Sequence, residues 1–159
     1  MTRKEIADLL KKASVGYFAH RGFSCHIEVG LVKRGRLRAD VLAFNTKLEI
    51  CVAECKSCWE DFRLDSKWEG YLSRANRLFF VFTEHTFETR KDDILKKIGS
   101  SGAGILVLSS KTGLLESRKN SKSMDLQGSI RRELITRIAY RNGLHRGNSR
   151  RIRLYVAND

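Results

Sequence analysis

The sequence predicts a single-domain α/β protein built on a mixed sheet of about four to six strands flanked by helices, and two observations carry that prediction. Segments that alternate at the strand period are interleaved with segments whose apolar residues recur at helical spacing, in the order helix, three strands, helix, strand, helix, strand or hairpin, helix. No repeat, proline-rich linker or low-complexity tract marks a second domain, so residues 1–159 read as one unit with a basic C-terminal helix and tail from about residue 128.

Residues 4–20 place Ile6, Leu9, Leu10, Ala13, Tyr17 and Phe18 at helical spacing, and Gly22 follows as a stop. FSCHIEV alternates, putting Ser24, His26 and Glu28 on one face of a first strand and Cys25, Ile27 and Val29 on the other. The basic loop GLVKRGR leads to a second strand at 37–44, and a third runs over 49–56. CWEDFRLDSKWEGYLSRANR is helical in period with an expected break at Asp65 and Ser66, where Ser66 and Glu69 have the spacing of a capping box. RLFFVFT is apolar enough to be a central strand, RKDDILKKIG a short helix ending at Gly99, and AGILVLSS with TGLLES a strand and its hairpin partner. Residues 128–142 predict a last helix, and RIRLYV alternates like an edge strand.

The chain carries 31 Lys+Arg against 18 Asp+Glu, a formal charge of +13, which makes polyanions the expected partner. Residues 111–159 hold 12 of those cations and 4 acids, so +8 sits in the last third. No stretch approaches the roughly 18 apolar residues of a membrane span, and the polar start MTRKEIADLL has no signal-peptide core; the expectation is an intracellular, cytoplasmic protein. Cys25, Cys51, Cys55 and Cys58 are then reduced. Cys51 and Cys55, four residues apart on one strand and so about 13 Å from each other, cannot share a zinc ion and read as buried structural thiols.

Charge inside an apolar hairpin is the feature that points to chemistry. A three-residue turn (46–48) or a five-residue turn (45–49) between the second and third strands places Asp40 opposite Glu54; an even turn would put them on opposite faces. Opposed strand residues have Cβ atoms about 4.5–5.5 Å apart, near enough for two carboxylates to share a divalent cation. Mg²⁺ suits such a pair, because it takes one or two protein carboxylates and leaves positions for water and phosphate. Lys56, two residues beyond Glu54 on the same face, would orient water or neutralise developing charge.

RAD at 38–40 followed by ECK at 54–56 resembles the core motif of the PD-(D/E)XK nucleases, the restriction-endonuclease-like superfamily, whose fold has the same helix, three-strand meander, helix, strand order. The continuation AECKSCWEDFRLDSKWEGYLSRANRLFFV resembles the MmcB-like branch, small bacterial and phage-type proteins associated with DNA repair, and the likeness covers residues 5–115. Ala39 stands where the superfamily motif has proline. The resemblance implies a restriction-endonuclease-like core, Asp40 and Glu54 as ligands of Mg²⁺ or Mn²⁺, Lys56 as the catalytic lysine and Glu28 as a further acid, with His26 on its face. Asp61, Asp65, Lys67, Trp68 and Tyr71 match the helical signature of the branch and would close the site or touch DNA.

The expected function is a metal-dependent DNA endonuclease of repair or recombination; the alternative is a non-catalytic DNA-binding repair adaptor on the same fold. Lys67, Arg131, Arg132, Arg137, Arg150, Arg151 and Arg153 are the candidate DNA-backbone contacts, and two cuts across a duplex would favour a homodimer. An RNA-directed module lacks an aromatic-rich binding signature. Trp59, Phe62, Trp68 and Tyr71, at helical spacing, read first as core.

Overall fold

The computed structural model describes residues 1–143. Arg150, Arg151, Arg153 and the expected strand RIRLYV lie outside the described residues. The chain opens with helix α1 (Arg3–Ala19), started by a capping box in which the Thr2 amide donates to Glu5 Oε2 at 2.6 Å and the Glu5 amide to Thr2 Oγ1 at 3.2 Å. Three strands follow, β1 (Ser24–Gly30), β2 (Arg38–Phe44) and β3 (Ile50–Cys55), then helix α2 (Trp59–Leu64) and a 3₁₀ turn (Trp68–Ser73). Strand β4 (Arg77–Thr83), helix α3 (Glu84–Ile98), strands β5 (Gly104–Leu108) and β6 (Leu115–Lys119) and helix α4 (Gly128–Asn142) complete the described fold.

All six strands form one sheet in the order β1-β2-β3-β4-β5-β6. The β1–β2, β2–β3 and β5–β6 pairs are antiparallel, while β3–β4 and β4–β5 are parallel, so the sheet is mixed as expected and agrees with a restriction-endonuclease-like core. Helix α1 covers one face, with Leu10 and Phe18 against Val41, Ala43, Ala53 and Val81. The α2 segment, the 3₁₀ turn, α3 and α4 cover the other, where Phe62, Trp68, Ile94 and Leu134 meet Leu42, Val52, Phe80 and Ile105. Phe62 lies with its ring centre 4.7 Å from that of Phe80 and 5.3 Å from that of Phe82, and each fully buried aromatic of this kind is worth about 2–3 kcal/mol in transfer alone. The strands β3, β4 and β5, buried on both faces, are the ones the sequence writes as nearly unbroken apolar runs.

Two local expectations change. The break after α2 is real, but Ser66 and Glu69 form no capping box: the second half is a 3₁₀ turn without a side-chain cap, and the Lys67 amide instead donates to Asp65 Oδ1 at 2.9 Å. Asp65 thus makes an Asx turn that holds the chain out of α-helix. Helix α3 starts at Glu84 rather than near Arg90, because the Thr83 hydroxyl caps it through the Thr86 amide; the backbone kinks at Arg90.

The cysteines fall as the strand period places them. Cys51 and Cys55 lie under α1, Cys55 Sγ 3.8 Å from Ser14 Oγ, and burial pushes the Cys51 thiol up to about 12. All four cysteines are free.

Candidate active site

The site forms where the central hairpin opens. The β2–β3 ladder runs from Phe44↔Ile50 to Val41↔Ala53, and its odd-numbered turn is fixed by Asn45, whose Oδ1 accepts from the Lys47 and Glu49 amides, each at 3.0 Å. The next position in this register holds Asp40 and Glu54. There side chains take over from the ladder: the Asp40 amide donates to Glu54 Oε1 at 3.1 Å and the Cys55 amide to Asp40 Oδ2 at 2.8 Å. β3 meanwhile keeps to its parallel neighbour, the Lys56 amide donating to the Val81 carbonyl at 2.9 Å, so the two strands part at the carboxylates. A main-chain N–H without a partner would be costly here, and the acids supply the acceptors.

Burial, with the nearby Asp40 charge, pushes the Glu54 carboxyl up from 4.5 to about 8, against the pull of Lys56 and the Asp40 amide. Burial also raises Asp40, opposed by the Cys55 amide and by Lys11. Lys56 Nζ lies 3.8 Å from Glu54 Oε2 and 2.5 Å from Asp65 Oδ2, above the Phe80 ring. Burial opposes ionisation of Asp65, but the hydrogen bond and charge of Lys56 outweigh it and leave the carboxyl below its ordinary value. Tyr71 donates to the Arg38 carbonyl at 2.9 Å and so ties the 3₁₀ turn to the start of β2.

Glu28 enters from the edge strand. It sits between the pairs Ile27↔Val41 and Val29↔Ala39, in register opposite Asp40, and its φ of 53° is left-handed. That conformation costs a residue with a Cβ about 1–2 kcal/mol. It also breaks the expected alternation. His26 stacks on Phe44, ring centres 5.6 Å apart, and meets Asn142 of α4, whereas Glu28 turns to the α1 side and pairs with Lys11 at 3.2 Å. His26 and Glu28 therefore do not share a face. Val29 likewise joins the core beneath α4 while Cys25 packs under α1. Lys11 Nζ stands 3.9 Å from Asp40 Oδ1, which brings a residue of α1 into the site that the strand pattern gave no reason to single out.

Residues 2–149 match the family described as DNA repair protein MmcB-like. The chain belongs to the MmcB-like family. A protein of unknown function from Silicibacter pomeroyi is similar in structure, with a TM-score of 0.70 and 25% identity over 86% of this chain and 85% of that one. An XisH family protein from Nostoc punctiforme PCC 73102 shares the fold more loosely, with a TM-score of 0.50 and 14% identity over 71% of this chain and 100% of that one. No curated protein matches the chain. The family ties the protein to DNA repair, and through it to DNA.

The basic residues of this MmcB-like chain divide into two groups. Arg137 Nη1 donates to the carbonyls of Gly30 at 2.6 Å and Val32 at 2.9 Å, and its Nη2 to Glu133; Arg141 Nη1 donates to the carbonyls of Ile27 at 2.7 Å and Glu28 at 3.2 Å. Arg131 turns inward, its Nη2 3.5 Å from Asn76 Oδ1 and its Nε buried. These arginines fasten α4 to the rest of the fold. Arg132 and Lys67 are exposed, as are Lys33, Arg34 and Arg36 on the loop that joins β1 to β2 at the site end of both strands. Arg132 and Lys33 line one surface cavity of about 490 Å³.

The donor set fits a hard cation. Asp40 and Glu54 offer two carboxylates whose pKa values are raised above all by burial, so that binding a cation would favour their charged forms. Among the described residues no group of three or more His, Cys, Asp or Glu side chains is placed to hold a metal, so the two carboxylates are the protein ligands that this site can offer a cation. Among the same residues no helix is long and apolar enough to cross a membrane.

Proposed function

We propose that this MmcB-like protein is a metal-dependent DNA endonuclease of repair or recombination, hydrolysing phosphodiester bonds with Mg²⁺ or Mn²⁺ held by Asp40 and Glu54. The observation that carries the reading is the opened ladder at Asp40 and Glu54, a half-buried and a buried acid in register with a lysine two residues on. When bound, the cation would polarise the phosphodiester and lower the pKa of an attacking water. The chain's own residues do the rest. The amides of Asp40 and Cys55 fix the orientation of both carboxylates, and Asp65 holds the Lys56 ammonium within reach of Glu54, where it can orient water or neutralise charge as it develops. Lys33, Arg132 and Lys67 would bind the DNA backbone without reading sequence.

A second reading, a non-catalytic DNA-binding adaptor, draws on the tight Lys56–Asp65 pair and the Lys11–Glu28 pair, which give both lysines partners without any ion. Offering labelled single strands, duplexes, flaps and four-way junctions to the purified protein with Mg²⁺, Mn²⁺ or EDTA decides between them. The nuclease reading expects cleavage that EDTA and Asp40→Asn abolish while DNA binding survives; metal-insensitive binding with no cleavage of any substrate selects the adaptor.

A further inference from the structure

The geometry points to Lys11 of α1 as a second phosphate-contacting cation of this site, with Glu28 as the residue that positions it rather than as a metal ligand. The inference rests on the nuclease reading and adds a group that the hairpin motif does not contain.

The two lysines of the site are not equivalent. Lys56, with a side chain 10% exposed, is locked to Asp65 at 2.5 Å and sits over an aromatic ring. Lys11 is more accessible, at 18%, and among the described residues its ammonium makes one hydrogen bond, to Glu28 Oε1 at 3.2 Å. Asp40 Oδ1, at 3.9 Å, attracts it but is beyond hydrogen-bond reach. An ammonium has three donors, so two remain for an anion that arrives beside Asp40. A groove of about 410 Å³ lined by Asp8, Lys11, Lys12, Val15 and Ile27 opens beside Lys11, so its ammonium borders a surface channel in which two lysines outnumber the single acid. Burial works against the charge on Lys11, yet Glu28 and Asp40 more than offset it, so the group stays cationic.

Glu28 explains itself in the same arrangement. A regular strand conformation would send its carboxylate to the face of His26, away from α1; the left-handed backbone brings it to Lys11. Arg141 holds that bend from the other side through the carbonyls of Ile27 and Glu28. Backbone strain of this kind persists where the surroundings enforce it, and here its visible product is the placement of one ammonium. When Asp40 is engaged as a ligand, Glu28 is the anchor that Lys11 retains.

The test uses the full chain, a labelled duplex and Mn²⁺. Lys11→Met should fold, keep its Mn²⁺ affinity by calorimetry, lower the slope of log DNA affinity against log salt by about 0.9, and slow single-turnover cleavage by a factor on the order of 10². Lys11→Arg, which retains the charge and the Glu28 partner, should keep the salt slope and lose rate. Glu28→Gln should keep Mn²⁺ affinity and cut about 10-fold more slowly, as expected of a group acting through another. An unchanged salt slope in Lys11→Met, or a loss of Mn²⁺ binding in Glu28→Gln as large as in Asp40→Asn, overturns the assignment. If the wild type cleaves no substrate, the nuclease reading fails by itself, and the salt slope and Mn²⁺ affinities still decide whether Lys11 meets phosphate and Glu28 meets metal.

Discussion

Replacing Glu54 with glutamine should stabilise the metal-free protein at alkaline pH, which is the reverse of what removing a buried ion-pair partner ordinarily does. A carboxyl raised from 4.5 in the unfolded chain to about 8 in the fold binds its proton more tightly when folded. Its stabilising effect is complete below pH 4.5, is lost progressively as pH rises toward 8, and falls no further above that. At 1.36 kcal/mol per pH unit the full loss is about 5 kcal/mol as an upper bound, and relaxation around the buried charge reduces it to about 2–4 kcal/mol. Glutamine stays neutral at every pH, can still accept from the Asp40 amide, and leaves Lys56 its closer partner Asp65. Urea unfolding in EDTA at pH 4.5, 6, 7 and 8.5 reads the effect: the two proteins should be about equally stable at the acid end and diverge in favour of Glu54→Gln at the other. The high net charge adds a pH dependence common to both, so the difference between them is the quantity to follow. Added Mn²⁺ should close the gap by stabilising the wild type alone. Curves that remain parallel across this range, or a variant weaker at pH 8.5, would refute the account of Glu54 as an uncompensated buried acid.

Lys56→Arg should fold and bind DNA and Mn²⁺, yet lose cleavage by a factor on the order of 10² in single-turnover assays, since a planar guanidinium does not reproduce a compact ammonium held by Asp65. Wild-type cutting would make Lys56 structural. Reversing Lys33 and Arg132 to glutamate should weaken duplex binding and lower the salt slope by about 0.9 for each phosphate no longer neutralised; fluorescence anisotropy across a salt series checks this, with the fold followed by circular dichroism. Gly104→Ala should destabilise the protein by about 1–3 kcal/mol in urea unfolding, because a Cβ there would lie 2.6 Å from the Ser121 amide nitrogen and 2.8 Å from the Lys119 carbonyl oxygen, neither of which can swing away.

How far the sequence reveals this molecule depends on whether a feature is local. The run RLFFVFT identifies an interior strand because both faces of β4 meet helices, and GSIRRELITRIAYRN reads as a helix over the range observed, Gly128–Asn142. Asp40 and Glu54 fall opposite one another because parity of the Asn45 turn alone decides it. Where φ leaves the strand region, periodicity fails: nothing in HIEVG announces the left-handed Glu28, so the alternation assigned to β1 holds only up to Ile27. Lys11 is illegible for a different reason. KK at 11–12 looks like the solvent face of any amphipathic helix, and only the crossing of α1 over β1 and β2 sets one of the two lysines against Asp40. The arginines of α4 mislead in the opposite direction. Arg137 and Arg141 look like a polyanion-binding stripe, yet they are spent on main-chain carbonyls more than 100 residues away.

Those carbonyls belong to an edge strand, and their capture has a temporal side. β1 is made early and α4 late, so during synthesis the outer rim of the sheet stays open until residue 141 is available to close it. An open rim is where a second nascent chain can add its own strand, and contacts that span so much sequence are among the slowest to form. The bend at Glu28 is therefore completed by the last described helix, and a chain shortened before Arg137 would keep its hairpin acids while losing both the shield on its edge and the clamp on the bend.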